Sequence, residues 1–139
     1  MNKIVRNILA VLAGLFVGGK VNMILIENSS AIIPSPSGVN VTTVEGLKAG
    51  LHLFEPKHFI MPFLAHALGT FIGALLASII AASNQLRIAL GIGIVFFIGG
   101  TIAVYMLPAP LWFNLVDLIF AYIPMAYLAA KIIANKTVK

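Results

Sequence analysis

Apolar residues fill four long stretches of this chain, and polar positions are confined to short links, one longer loop and the two tails. A membrane-crossing helix needs roughly 20 mostly apolar residues. The stretches at about residues 4–26, 59–83, 86–107 and 111–134 all meet that length. The second and third are joined around Asn84-Gln85, a link so short that the two helices must run antiparallel. Pro108-Ala109-Pro110 separates the third from the fourth, because proline ends one helix and suits the first turn of the next. Trp112 and Phe113 follow at once, where an aromatic belt belongs. The pattern predicts an all-α integral membrane four-helix bundle forming one domain, residues 1–139.

The one sizeable loop, residues 27–58, opens with Asn28-Ser29-Ser30 and continues into Pro34-Ser35-Pro36-Ser37-Gly38, a turn-rich extended stretch. Thr42 and Glu45 then have the spacing of a capping box ahead of Leu47, Leu51 and Phe54. Those apolar positions recur at helical spacing. They predict a short amphipathic helix from about Thr43 to Phe54, lying on the membrane surface or over the bundle. Pro56 ends it.

Composition agrees with the pattern: 60% of residues are hydrophobic and 9% charged, against about 25% charged in a soluble domain. With no cysteine, disulfides, thiolate metal sites and CxxC redox chemistry are excluded. A net charge of +5 would point to nucleic acid in a soluble protein; here its distribution points to membrane orientation, and no nucleic-acid partner is expected. Lys3, Arg6, Arg87, Lys131, Lys136 and Lys139 lie at one end of the helices with no acid among them. Lys48 and Lys57 share the other end with Glu27, Glu45 and Glu55. The positive-inside rule then predicts both termini in the cytoplasm and the loop outside. The first stretch, although preceded by Lys3 and Arg6, lacks a clean small-x-small cleavage site and reads as a retained helix.

Small residues mark where helices meet. Gly14 and Gly18 pair at small-xxx-small spacing, as do Gly69 and Gly73, and Gly93 and Gly100 lie along the third span; close backbone approach drives helix association in lipid. Pro124 interrupts the fourth span and predicts a kink there.

Depth supplies the candidate chemistry. At 1.5 Å rise per residue, Lys20 lies about 9 Å, His66 about 10 Å and Asp117 about 9 Å below the loop ends of their helices. Asn22 and Asn114 sit slightly above that layer, with Tyr105 near it. Ionisable residues inside a membrane are expensive, so they face the interior and pair. His66 shares a helix face with Gly69 and Gly73, and Asp117 shares one with Asn114 and Pro124. Lys20 is out of phase with Gly18, so its stem is also able to snorkel to the interface. These positions predict a pocket with His66, Asp117 and Lys20 at its floor. Asn22, Asn114, His52, Glu55 and His58 surround its mouth. The structural alternative is a Lys20–Asp117 ion pair and a His66 hydrogen bond that merely fix helix register.

His52, Glu55, His58, His66 and Asp117 are acceptable metal ligands, but no HExxH-like signature accompanies them. No metal site and no cofactor are predicted. A His66–Asp117 pair suits acid–base chemistry, yet no GxSxG-like nucleophile context exists. Small multidrug exporters share the size and helix count, but their membrane-embedded glutamate on helix one has no counterpart here, where that helix carries Lys20.

The stretches Pro62-Phe63-Leu64-Ala65-His66-Ala67-Leu68-Gly69-Thr70 and Leu107-Pro108-Ala109-Pro110-Leu111-Trp112-Phe113, with Asp117-Leu118, Ala121-Tyr122-Ile123-Pro124-Met125 and the Ile33-Pro34-Ser35-Pro36 loop, resemble an uncharacterised family of small four-span bacterial inner-membrane proteins. The likeness runs over nearly the whole chain. It implies an inner-membrane location and brings no activity or site residues with it. The expectation is therefore a multi-pass protein that binds or translocates a small molecule through an outward-facing polar pocket, as a homo-oligomer or with a partner membrane subunit. The alternatives are a small intramembrane enzyme acting on a lipid or quinone, and an accessory subunit of a larger complex.

Overall fold

In the computed structural model, residues 1–137 are described. Four helical stretches are long and apolar enough to cross a membrane, and the chain is a multi-pass, all-α membrane bundle. Helix α1 (Lys3–Glu27) is followed by a single turn, α2 (Ser29–Ile32), and by α3 (Val44–Gly50) in the loop. Helix α4 (Ile60–Ile80) forms the second crossing and α5 (Gln85–Met106) the third. The fourth crossing is two helices, α6 (Leu111–Phe120) and α7 (Ile123–Thr137).

Helix α4 is the centre of the bundle, touching α1, α5 and α7. Its contact with α1 is backbone on backbone. A Cβ on Gly14 would sit 2.6 Å from the Gly73 carbonyl oxygen, and one on Gly18 would sit 2.6 Å from that of Gly69. The reciprocal positions are as tight: Gly73 faces the Gly14 oxygen at 2.6 Å and Gly69 the Gly18 oxygen at 2.8 Å. The paired small-xxx-small motifs therefore mesh with each other. The opposite face of α1, with Ile8, Leu12 and Phe16, is exposed, as a lipid-facing surface should be.

Packing changes character along the bundle axis. Toward the termini, Ala74, Ala77, Ala89, Ile92, Ala126, Ala129 and Ala130 form a dense small-residue core. Midway, Ala67, Ala121 and Tyr122 pack together. At the loop end the core turns aromatic: Phe59 lies 4.7 Å from Phe113 and 5.5 Å from Trp112, ring centre to ring centre, and Leu51 joins them from the loop.

The loop differs from expectation at its helix start. Thr43, one residue later than predicted, is the N-cap of α3, its Oγ1 accepting from the Gly46 N–H at 3.0 Å. Thr42 instead bonds the Asn40 side chain. A 3₁₀ turn, Leu51–Leu53, continues α3, so the predicted amphipathic segment is present in two pieces. A second 3₁₀ turn, Pro56–Phe59, leads into α4, with a Glu55–His58 capping box at its start. Helix α4 ends at Ile80 instead of Ser83. Its last turn is held from α1, where Arg6 Nε donates to the Ile80 carbonyl and Asn7 Oδ1 accepts from the Ala82 N–H at 2.8 Å.

Glycines of identical chemistry should give opposite results under one substitution. Gly73→Ala drives a methyl into the α1 backbone and should cost about 1–3 kcal/mol. Gly91→Ala, whose Cβ meets nothing within 4 Å, should be neutral or gain up to about 1 kcal/mol of helix propensity. Unfolding by graded denaturing detergent reads both; equal effects would contradict the meshed interface.

Candidate functional site

The site starts from a helix break. Pro124 carries no N–H, so the Phe120 carbonyl loses the donor it would have in a continuous helix. The chain leaves helical geometry at Ala121-Tyr122, closing α6 with the Ala121 N–H on the Asp117 carbonyl at 2.9 Å and opening α7 with the Ala126 N–H on Tyr122. Such interruptions persist in membranes where protein re-satisfies the freed groups. The break also turns the Tyr122 side chain back along α6, and its hydroxyl donates to Asp117 Oδ2 at 2.8 Å.

Asp117 is 3% exposed and holds a second donor from across the bundle. His66 Nδ1, on α4, lies 2.8 Å from Oδ1 and 2.9 Å from Oδ2. The His66 and Tyr122 rings stack with centres 5.8 Å apart. Glycine makes room for this group, since a Cβ on Gly100 of α5 would collide with the Tyr122 hydroxyl. A buried carboxylate needs such partners. Because the carboxylate only accepts, Nδ1 of the imidazole carries the proton, and the carboxylate fixes the ring's orientation. Nε2 is then the free nitrogen: a lone pair in the neutral ring, an N–H in the charged one.

Above this group lies a cavity of about 320 Å³, within the size range of small-molecule sites. His66, Asp117 and Asn114 line its deep part with Gly100 and Ala103 of α5. Phe54, Phe59 and Phe113 form apolar walls, and the loop covers it with Ser29, Ser30, Leu47 and Leu51. His58 is buried against the cavity, its Nδ1 accepting from the Glu55 N–H at 2.8 Å. That bond puts the His58 proton on Nε2. The pocket thus combines a mainly apolar interior with one histidine near its floor and another near its mouth.

Of the residues anticipated for the pocket, His66, Asp117, Asn114 and His58 line the same cavity. The rest lie elsewhere. Lys20 is exposed on the outer surface of α1 and is absent from the lining, which corrects the Lys20–Asp117 alternative: the aspartate's partners are His66 and Tyr122. Helical phase is the reason, because Gly18 faces α4 and Lys20 points away. Asn22 packs its Cβ over Gly69, with its Oδ1 buried and unpartnered among the described residues. His52 and Glu55 are exposed. Glu55 pairs with Lys57 at 3.0 Å, and that ammonium holds its carboxyl below the usual carboxylate range. Tyr105, expected near the polar layer, is 87% exposed. Among the described residues no three histidine, aspartate or glutamate side chains gather as a metal site. The participant missed in the sequence is Tyr122. On a continuous helix it would lie about 140° around from Asp117, and only the break brings the two together.

The chain matches no protein-family model, no curated protein and no solved structure.

Tyr122→Phe removes one of the two donors on a buried carboxylate and should lower stability by about 1–2 kcal/mol. Paired with His66→Gln in a double-mutant cycle, it should show coupling, since both donors serve one acceptor. Strict additivity in detergent unfolding would mean that the two bonds to Asp117 are not shared.

Proposed function

We propose that this membrane protein binds a small, mainly apolar molecule in the loop-end cavity, with His66 making its polar contact. The observation that carries the reading is the imidazole clamped by Asp117 at 2.8 Å beside a partly open, mainly apolar cavity. An oriented polar group in an otherwise apolar pocket is how small-molecule sites achieve specificity. Below the cavity the alanine-rich core is closely packed, which favours binding from the loop side over an open channel; translocation would need that core to part. The charge asymmetry supports placing the loop outside and both termini in the cytoplasm, and the resemblance in sequence favours a bacterial inner membrane.

A second reading, a small intramembrane enzyme acting on a lipid or quinone, draws on the same pair. A carboxylate that holds Nδ1–H leaves Nε2 oriented as a general base or acid.

Native mass spectrometry of the protein released from mild detergent is expected to find a retained non-lipid molecule. His66→Ala should lose it. So should Ala103→Phe, which fills the cavity and leaves the His66–Asp117 pair untouched. A protein carrying bulk lipid alone would overturn the binding reading, and a molecule recovered chemically altered would favour the enzyme.

Topology has its own test, made simple by the absence of native cysteine. In intact cells Ser37→Cys should react with a membrane-impermeant maleimide, and Lys3→Cys only after permeabilisation. The reverse pattern would invert the orientation.

A further inference from the structure

A second depression lies at the opposite end of the bundle, where the α4–α5 turn meets α7. Asn84, Gln85 and Arg87 line one wall and Tyr127 and Lys131 the other, around a groove of about 490 Å³. Arg87 and Lys131 are both exposed. The ion pairs among the described residues are Lys57–Glu55 and His66–Asp117, so neither groove cation has a carboxylate partner. The four acidic side chains of the chain, Glu27, Glu45, Glu55 and Asp117, all lie in the loop half. Lys131 instead rests 5.8 Å from the centre of the Tyr127 ring.

The start of α5 adds to the positive field. Asn84 precedes it in the left-handed region, φ 54°, and its side chain makes no capping bond. The first turn thus has no cap bond from that side chain, and the positive end of the helix dipole lies at the groove wall formed by Asn84, Gln85 and Arg87. Two unpaired cations from separate helices, an uncapped helix start and a concave wall converge where the bundle leaves the apolar layer.

We propose that this groove binds a phosphate-bearing anion, carried at that depth by the headgroup of an anionic phospholipid. Arg87 supplies a planar fork to the phosphate oxygens, and Lys131 supplies a point charge. A zwitterionic headgroup fits less well, because among the described residues no carboxylate lines the groove to meet its ammonium. The site is independent of the loop-end cavity, and its failure would leave the binding reading there unaffected.

The test is native mass spectrometry of the full chain in neutral detergent, titrated with phosphatidylglycerol or phosphatidylcholine of the same acyl chains. The first lipid bound should prefer phosphatidylglycerol by about tenfold or more, the scale set by two interfacial basic residues. Arg87→Gln with Lys131→Gln should abolish the preference, Arg87→Lys with Lys131→Arg should retain most of it, and Lys3→Gln, elsewhere at the same end, should leave it unchanged. Equal affinity for the two lipids in the parent protein would overturn the proposal. So would a preference eroded equally by Lys3→Gln, which marks diffuse surface charge. Adding millimolar inorganic phosphate separates the sources. Lipid that stays bound supports the headgroup as ligand, and displacement of the lipid by free phosphate would overturn that assignment.

Discussion

The architecture depends on how closely α1 and α4 approach. In lipid there is no hydrophobic gain from pressing two apolar helices together, so association rests on packing and backbone contact. Gly14, Gly18, Gly69 and Gly73 let carbonyl oxygens of each helix sit where side chains would otherwise stand. That places the loop-side end of α1, and the loop that leaves it, directly over the start of α4. Small residues of α4, α5 and α7 fill the core toward the termini, whereas Phe59, Phe113 and the loop line the cavity at the other end.

Within that frame, the broken fourth crossing serves the polar group. A straight helix through Pro124 would carry Asp117 into the membrane with only His66 to meet it. Interrupting the helix at Ala121-Tyr122 adds the tyrosine hydroxyl as a second donor, and the absent side chain of Gly100 leaves space for the ring. The carboxylate then has one partner on its own segment and one from α4. The arrangement secures α6 against the central helix and leaves the other nitrogen of His66 uncommitted. Structure and proposed chemistry therefore rest on the same pair.

Much of this was legible in the sequence because bilayer physics leaves few choices. Length and hydropathy locate the four crossings, and the glycine spacing marks contact faces on α1 and α4 without saying that they meet each other. Equal depth on separate helices is enough to bring His66 and Asp117 together. Depth alone, however, does not give azimuth. Lys20 was placed at the pocket floor by depth but points outward, the alternative that its phase relative to Gly18 had left open. Tyr105, placed near that layer by depth alone, is likewise exposed. Tyr122 was hidden because its role needs a helix break, and a proline in a membrane helix announces a kink without saying which side chain the kink redirects. In the loop, Thr42 and Thr43 are chemically alike, and the Asn40 side chain decides between them by engaging Thr42.

The central claim is that the space above the His66–Asp117 pair is a binding site and not a packing gap. The most direct measurement is a crystal structure of the protein grown from a lipid mesophase without delipidation. Density for a compact non-lipid molecule is expected within hydrogen-bonding distance of His66 Nε2, with the Asp117 and Tyr122 contacts intact. A cavity collapsed onto Phe59 and Phe113, or occupied by a bulk-lipid acyl chain that makes no polar contact with His66, would contradict it.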